Sequence, residues 1–295
     1  MIDTRLLTFI NLARLKNYTR TAEVLHMSQP AVTQHIKFLE NYYNIKLFYK
    51  HEKEYLITQE GEILLEYAQK MYSLSDKTHR LLSGTGGIPK KYRLGATLTI
   101  GGYLLPEFLA VYKKKKPLTG LSLTVKNTTD TLNDLQREAI DLALIEGEFP
   151  KDKFDYKLLK VDELILVASP KNRLSEIQKI SISKLSEEGL ILREPGSGSR
   201  DFLSQKLHSM GVDLSDFNIS MEVGSLTAIK ELVLSDAGIS IISKEAVKKE
   251  LAEGTLIHIP IENLKLEREF NFVYCKGLHA DDFIDEFIEF CTSGF

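Results

Sequence analysis

Apolar residues recur at helical spacing over the first 16 positions. Leu6, Leu7, Phe9, Ile10, Leu12, Ala13 and Leu15 line one side, and Arg14 and Lys16 close the last turn. Asn17-Tyr18-Thr19 breaks the pattern, and Thr19 can cap a second short helix through about Leu25. His26-Met27 is a tight connection. Ser28 can cap a third helix with Pro30 in its first turn, running to about Asn44. Val32, Ile36, Leu39 and Tyr43 share the inward face of that helix, and Pro30, Thr33, Gln34, Lys37 and Asn41 share the other. A short helix, a tight turn and a helix with a polar outer face is the helix-turn-helix pattern. Its second helix enters the major groove N-terminus first, which places Gln29, Thr33 and Gln34 to reach base edges. The same pattern also fits a small helical bundle with a solvated face.

Ile45 to Ile57 reads as a two-stranded wing. Leu47-Phe48-Tyr49 and Tyr55-Leu56-Ile57 flank a charged tip, where Lys50, His51 and Lys53 can touch phosphates and two glutamates oppose them. Thr58 starts a long helix to about Leu82. Leu64, Tyr67, Met71, Leu74 and Leu81 keep coiled-coil spacing along it, which predicts a homodimer unless the stripe packs on its own chain. Ser83 to Pro89 is a hinge rich in glycine. From Tyr92 onward strands alternate with helices: strands at 92–96, 121–126, 141–145, 164–169, 190–193, 219–222 and 239–242, helices at 104–115 and 131–139 among them. The expectation is α/β with parallel sheets and a ligand cleft between two lobes.

The chain has 295 residues and a net charge of −3, a value that by itself points to no polyanion. Its distribution says more. Residues 1–50 hold seven basic against three acidic residues, a charge of +4, while residues 91–295 carry −6. A basic head on an acidic body fits a polyanion-binding module joined to something else. No apolar stretch is long enough for a membrane span, and the N-terminus lacks a signal-peptide pattern. Cys275 and Cys291 have no metal-like spacing, and the seven histidines form no HExxH or HxH motif, so neither a metal nor another cofactor is expected. No nucleophile has a base at readable spacing, so no enzymatic activity is expected either.

The segment Thr19-Arg-Thr-Ala-Glu-Val-Leu-His-Met-Ser-Gln-Pro-Ala-Val-Thr-Gln-His-Ile-Lys-Phe-Leu-Glu, with Ile45-Lys-Leu-Phe and Leu56-Ile-Thr-Gln-Glu-Gly, closely resembles the head of LysR-type transcriptional regulators. The resemblance continues through Gly95-Ala-Thr-Leu-Thr-Ile, Tyr103-Leu-Leu-Pro, Asp141-Leu-Ala-Leu, Arg193-Glu-Pro-Gly-Ser-Gly-Ser-Arg and Val223-Gly-Ser-Leu-Thr-Ala-Ile-Lys, and so covers essentially the whole chain. The form of the Arg193–Arg200 loop is similar to the branch that includes regulators of sulfur assimilation. The resemblance implies a winged helix-turn-helix over residues 1–58, a dimerising linker helix and hinge over 59–90, and a periplasmic-binding-protein-like effector domain over 91–295. In that domain lobe I would span 91–162 and 268–295, and lobe II 163–267. It implies a cytoplasmic homodimer or homotetramer that binds a dyad-symmetric operator near promoters, bends DNA and works with RNA polymerase, with no membrane association. Arg20, Ser28, Gln29, Pro30, Thr33, Gln34, Lys37, Lys50 and Lys53 become the DNA-binding candidates. The family usually carries an arginine where this chain has Lys50, so the bidentate fork is lost and a phosphate contact is retained.

Effector pockets of the family lie between the lobes, with hydroxyls after the first strand, here Thr97 and Thr99. Thr129 opens the next helix, and Gly196, Ser197, Gly198 and Ser199 form a loop with a nest of N–H donors, to which Arg200 adds charge. This chemistry suits a small anion. Glu146, at the end of the 141–145 strand, does not, and keeps an amino-acid-like zwitterion in view. The competing reading is a solute-binding or enzymatic α/β protein whose N-terminal helices only mediate assembly.

Overall fold

A computed structural model describes residues 2–52, 54–83, 91–276 and 282–293. Three helices open the chain, α1 (Thr4–Leu15), α2 (Tyr18–Val24) and α3 (Gln29–Tyr43), followed by the hairpin β1 (Phe48–His51) and β2 (Glu54–Ile57) and the long α4 (Gln59–Ser83). Each start is capped: Asp3, Asn17, Ser28 and Thr58 accept from backbone N–H groups of the turns that follow. Asn17, not Thr19, caps α2, because the helix begins two residues earlier. The turn before α3 places His26 in the left-handed region at φ 52, and Asn44 ends α3 in the same conformation. Phe9, Leu12, Val32, Ile36 and Leu47 are fully or almost fully buried in the head. Tyr43 departs from the expected inward face and is exposed, since α3 outruns the helices that cover it.

The stripe on α4 divides. Leu64 is buried in the head core beside Ala68, so it packs on its own chain rather than on a free seam. Tyr67 (57%), Met71 (43%) and Leu74 (58%) stand exposed. The side chain of Leu81 and all of Lys53 lie outside the described residues.

The rest of the chain builds one mixed sheet. Its elements in order are β3 (Lys91–Ala96), α5 (Leu105–Lys115), β4 (Gly120–Val125), α6 (Thr128–Gln136), β5 (Leu142–Glu146), β6 (Phe154–Ala168), α7 (Ile182–Glu187), β7 (Leu190–Leu192), α8 (Gly198–Ser209), β8 (Ile219–Glu222), α9 (Leu226–Leu234), β9 (Ile239–Ser243), α10 (Lys248–Glu253), β10 (Ile257–Ile259), β11 (Leu266–Cys275) and α11 (Asp282–Thr292). Among the described residues the sheet has nine strands, ordered β4-β3-β5-β11-β6-β9-β7-β8, with β10 also on β6. The expected parallel pairing holds for β3 with β5, β7 with β8 and β7 with β9. It fails at the centre. There β6 and β11 run antiparallel from Phe154↔Cys275 to Leu164↔Leu266, with an irregularity at Phe270/Asn271. A single long strand thus replaces the short 164–169 strand read from the sequence.

Of the four buried clusters of described residues along this sheet, two are the largest. One gathers Leu94, Ile100, Leu105, Phe270, Phe272 and Phe287, and the other Leu166, Leu174, Leu190, Leu203, Leu207 and Ile239. We refer to the surrounding parts as the first and second lobes. The chain divides into two units by internal contacts, Met1–Lys91 with Gln136–Ala139, and Tyr92–Leu135 with Ile140–Phe295, so both lobes belong to one unit.

Candidate functional site

The α3 surface is polar where it is open. Ser28, Gln29, Pro30, Gln34 and Lys37 are exposed, while Val32, Ile36 and Leu39 on the same helix are buried. Thr33 is partly covered, and its hydroxyl donates to the Gln29 carbonyl at 3.1 Å. Ser28 is committed to the cap, its Oγ accepting from the Ala31 N–H at 3.3 Å. Arg20 on α2 and Lys50 on β1 are exposed. Glu40, on the flank of α3, ties down the entry to the wing: it accepts from the Leu47 N–H and the Lys46 ammonium, both at 3.0 Å. That neutralises Lys46 and leaves α3 and the wing held as one piece.

In the second unit three of the candidate effector residues, Thr99, Glu146 and Ser199, gather around an arginine that the sequence pattern does not single out. Arg268 sits on β11, and its side chain is completely buried. Its Nε donates to Asp162 Oδ2 at 3.2 Å, its Nη1 to Ser199 Oγ at 3.0 Å and its Nη2 to Thr99 Oγ1 at 3.4 Å. Thr99 Oγ1 donates to Glu146 Oε1 at 3.0 Å, and Glu146 Oε2 lies 3.4 Å from Arg268 Nη2. Asp162, on β6, is fixed in turn by the Ser243 hydroxyl at 3.0 Å. One guanidinium therefore joins Thr99 and Glu146 of the first lobe to Ser199 of the second. A signal existed in the sequence, a lone arginine in an alternating strand, but strand length hid which face it took.

The Gly196–Ser199 loop behaves as its residues require. Gly196 has φ +80, a conformation that disfavours any side chain. Ser197 caps α8 by accepting from the Arg200 N–H at 3.4 Å. At Gly198 a Cβ would come within 3.1 Å of Thr128 Oγ1 and 3.6 Å of the Glu146 carbonyl, so the lobes meet there backbone to side chain. Arg200 does not reach this junction. It donates to the Arg193 carbonyl at 2.9 Å and pairs with Glu222 at 2.6 Å. The helix near Thr129 begins at Thr128 rather than Thr131, with Asn127 accepting from the Asp130 N–H at 2.8 Å, so Thr129 lies exposed in the first turn and is not the cap. Thr97 and Thr99 are both buried. Thr99 starts a π-helical turn, Ile100–Leu104, that precedes α5.

The family models match almost end to end. The bacterial regulatory helix-turn-helix protein model of the lysR family covers residues 4–62, and the LysR substrate binding domain model covers residues 85–295. The chain belongs to the LysR family. It is a LysR-type DNA-binding transcriptional regulator with an effector-binding domain, and the assembly-only alternative is not favoured. Among its LysR relatives is the HTH-type transcriptional regulator CysL of Bacillus subtilis (strain 168), 31% identical over 90% of this chain and 89% of that protein. The regulatory domain of CcmR from Synechocystis PCC6803, solved with 2-PG, is 25% identical, with a TM-score of 0.62 over 69% of this chain and 96% of that one. CbnR, solved full-length with its target DNA, shares the fold at 18% identity, with a TM-score of 0.71 over 99% of both chains. No helix among the described residues is long and apolar enough to cross a membrane.

Proposed function

We propose that residues 1–58 read a dyad-symmetric operator near a promoter, that residues 59–90 pair two chains, and that residues 91–295 sense a small molecule held between the lobes. The observation that carries the first part is the division of α3, apolar residues buried and Gln29, Gln34 and Lys37 open to solvent. Glutamine bonds adenine edges bidentately, threonine reads either partner, and Lys37, Arg20 and Lys50 meet phosphates. Lys53 belongs to the same set. Two heads on a two-fold axis would sit about one DNA turn apart. The open stripe Tyr67, Met71 and Leu74 supports the pairing, and a homotetramer that bends DNA is the assembly we infer.

The effector, an anion or an amino-acid-like molecule, would contact Thr97, Thr99, Thr129, Glu146 and the Gly196–Ser199 loop. CcmR, whose regulatory domain was solved with 2-PG, supports a small-molecule ligand in this domain. Binding would change lobe closure, and with it the spacing of the heads and the DNA bend. We place the protein in the cytoplasm, acting with RNA polymerase. The test is selection of duplexes from a randomised pool, followed by footprinting of the winners. A protected two-fold site is the expected result, and the absence of any enriched, dyad-symmetric sequence overturns the reading.

A further inference from the structure

The junction of the lobes carries more negative charge than its one cation balances. Glu146, Asp162 and Arg268 together leave one excess negative charge when all are ionised. Glu146 is only 4% exposed, and its Oε2 accepts no hydrogen bond, although Arg268 Nη2 lies 3.4 Å away. The Thr97 hydroxyl, 1% exposed and two residues before Thr99, also has no hydrogen-bond partner among the described residues. Buried polar atoms are normally satisfied, because leaving one bare forfeits its hydration without return. Asp162, Ser199 and Thr99 already take three of the five guanidinium N–H groups, which leaves the cation only in part to an incoming anion.

The space beside Gly198 and Arg268, which Glu146 and Thr97 do not line, has the same sign. A cavity of about 210 Å³ is lined by Thr128, Leu132, Glu148, Phe149, Gly198 and Asp201 among others, and its only charged groups are carboxylates. A second cavity, of about 490 Å³, shares Glu148, Phe149 and Phe202 with it, and adds Gly147 and Arg268. The lysine of that second cavity, Lys151, is paired with Glu269 at 3.4 Å. Glu148 and Asp201 have no ion pair among the described residues.

We propose that the effector carries an ammonium group and that Glu146 is the residue that reads it. The proposal rests on the inter-lobe reading above and narrows its ligand class. Oε2 of Glu146 and the Thr97 hydroxyl each accept one ammonium N–H, and the added charge offsets the excess. Leu132, Phe149 and Phe202 cover the ligand's carbon chain. A molecule whose charges are all carboxylate or phosphate meets Glu146, Asp162, Glu148 and Asp201 and is turned away. Entry requires the lobes to part at Gly198, one of the points where they come together, near Thr128 and Glu146.

The experiment is thermal unfolding of the full-length protein with four probes sharing one four-carbon chain: putrescine, γ-aminobutyrate, succinate and butanediol. The two amines raise the midpoint, by roughly 5 °C at about one hundred times Kd, and succinate and butanediol leave it unchanged. Glu146→Gln abolishes the amine response. Glu148→Gln, on the cavity wall, weakens it several-fold and serves where the first variant does not fold. A rise with succinate, no rise with either amine, or an amine response that survives Glu146→Gln overturns the proposal. The same wild-type preparation is put through duplex selection. Enriched DNA without an amine response sinks the ligand class alone, and no enriched DNA sinks the operator reading.

Discussion

Five single side chains make sharp predictions. Thr33→Ala and Gln34→Ala each weaken operator binding about tenfold or more and relax sequence preference, whereas Lys37→Ala weakens all sequences alike and lowers the salt slope by about 1; titrations at several salt concentrations separate the two. Arg268→Ala leaves Glu146 and Asp162 buried without their cation, so urea unfolding shows a loss of about 3–5 kcal/mol. Glu194 supplies a pH signature. Burial pushes its carboxyl upward, but the bidentate bonds from Arg193, both 2.8 Å, outweigh that and hold it below the usual 4.5. A lowered carboxyl contributes stability above its unfolded value and loses it as pH falls through the folded one. Urea midpoints of the wild type therefore fall from about pH 4.5 downward, and Glu194→Gln makes that decline shallower.

At the scale of elements, what periodicity could see was seen. The inward faces of α1 and α3, the caps Ser28 and Thr58 and the wing strands were legible because each depends on neighbours within a few residues. Leu64 and Tyr43 were misread because periodicity tells which face a residue occupies, not what covers that face. The π-helical turn at Ile100–Leu104 left no local trace, since one extra residue per turn is set by the packing of Ile100 and Leu104 into the first core. Of the residues that meet at the lobe junction, Thr99, Glu146 and Ser199 were legible in the sequence, but Arg268 and Asp162 were not, because their meeting depends on pairing 106 residues apart. The open stripe of α4 gives the test that belongs here. Leu74→Glu places a charge in the proposed seam, and sedimentation should show monomers whose operator affinity falls at least a hundredfold, while the head keeps its helical spectrum.

For the effector-binding unit, the decisive feature is that both lobes share two crossing strands and come close together at Gly198, beside the Arg268 junction. Gly198→Val drives a branched side chain toward Thr128 and the Glu146 carbonyl, so the lobes are wedged apart. Small-angle scattering should record a larger radius of gyration, and the response to ligand should shrink without loss of DNA binding.

The path of β11 has a consequence for how the protein is made. The second lobe needs β6 through β10 and Leu266, the first residue of β11, to close its core. The first lobe waits longer, because β11 separates β5 from β6 and brings Phe270 and Phe272 to its core. Vectorial synthesis usually favours the earlier sequence, yet here the lobe that starts first is completed last. A nascent chain arrested with Arg268 clear of the ribosome already holds a protease-resistant second lobe, and the first gains that resistance only after Cys291 has emerged.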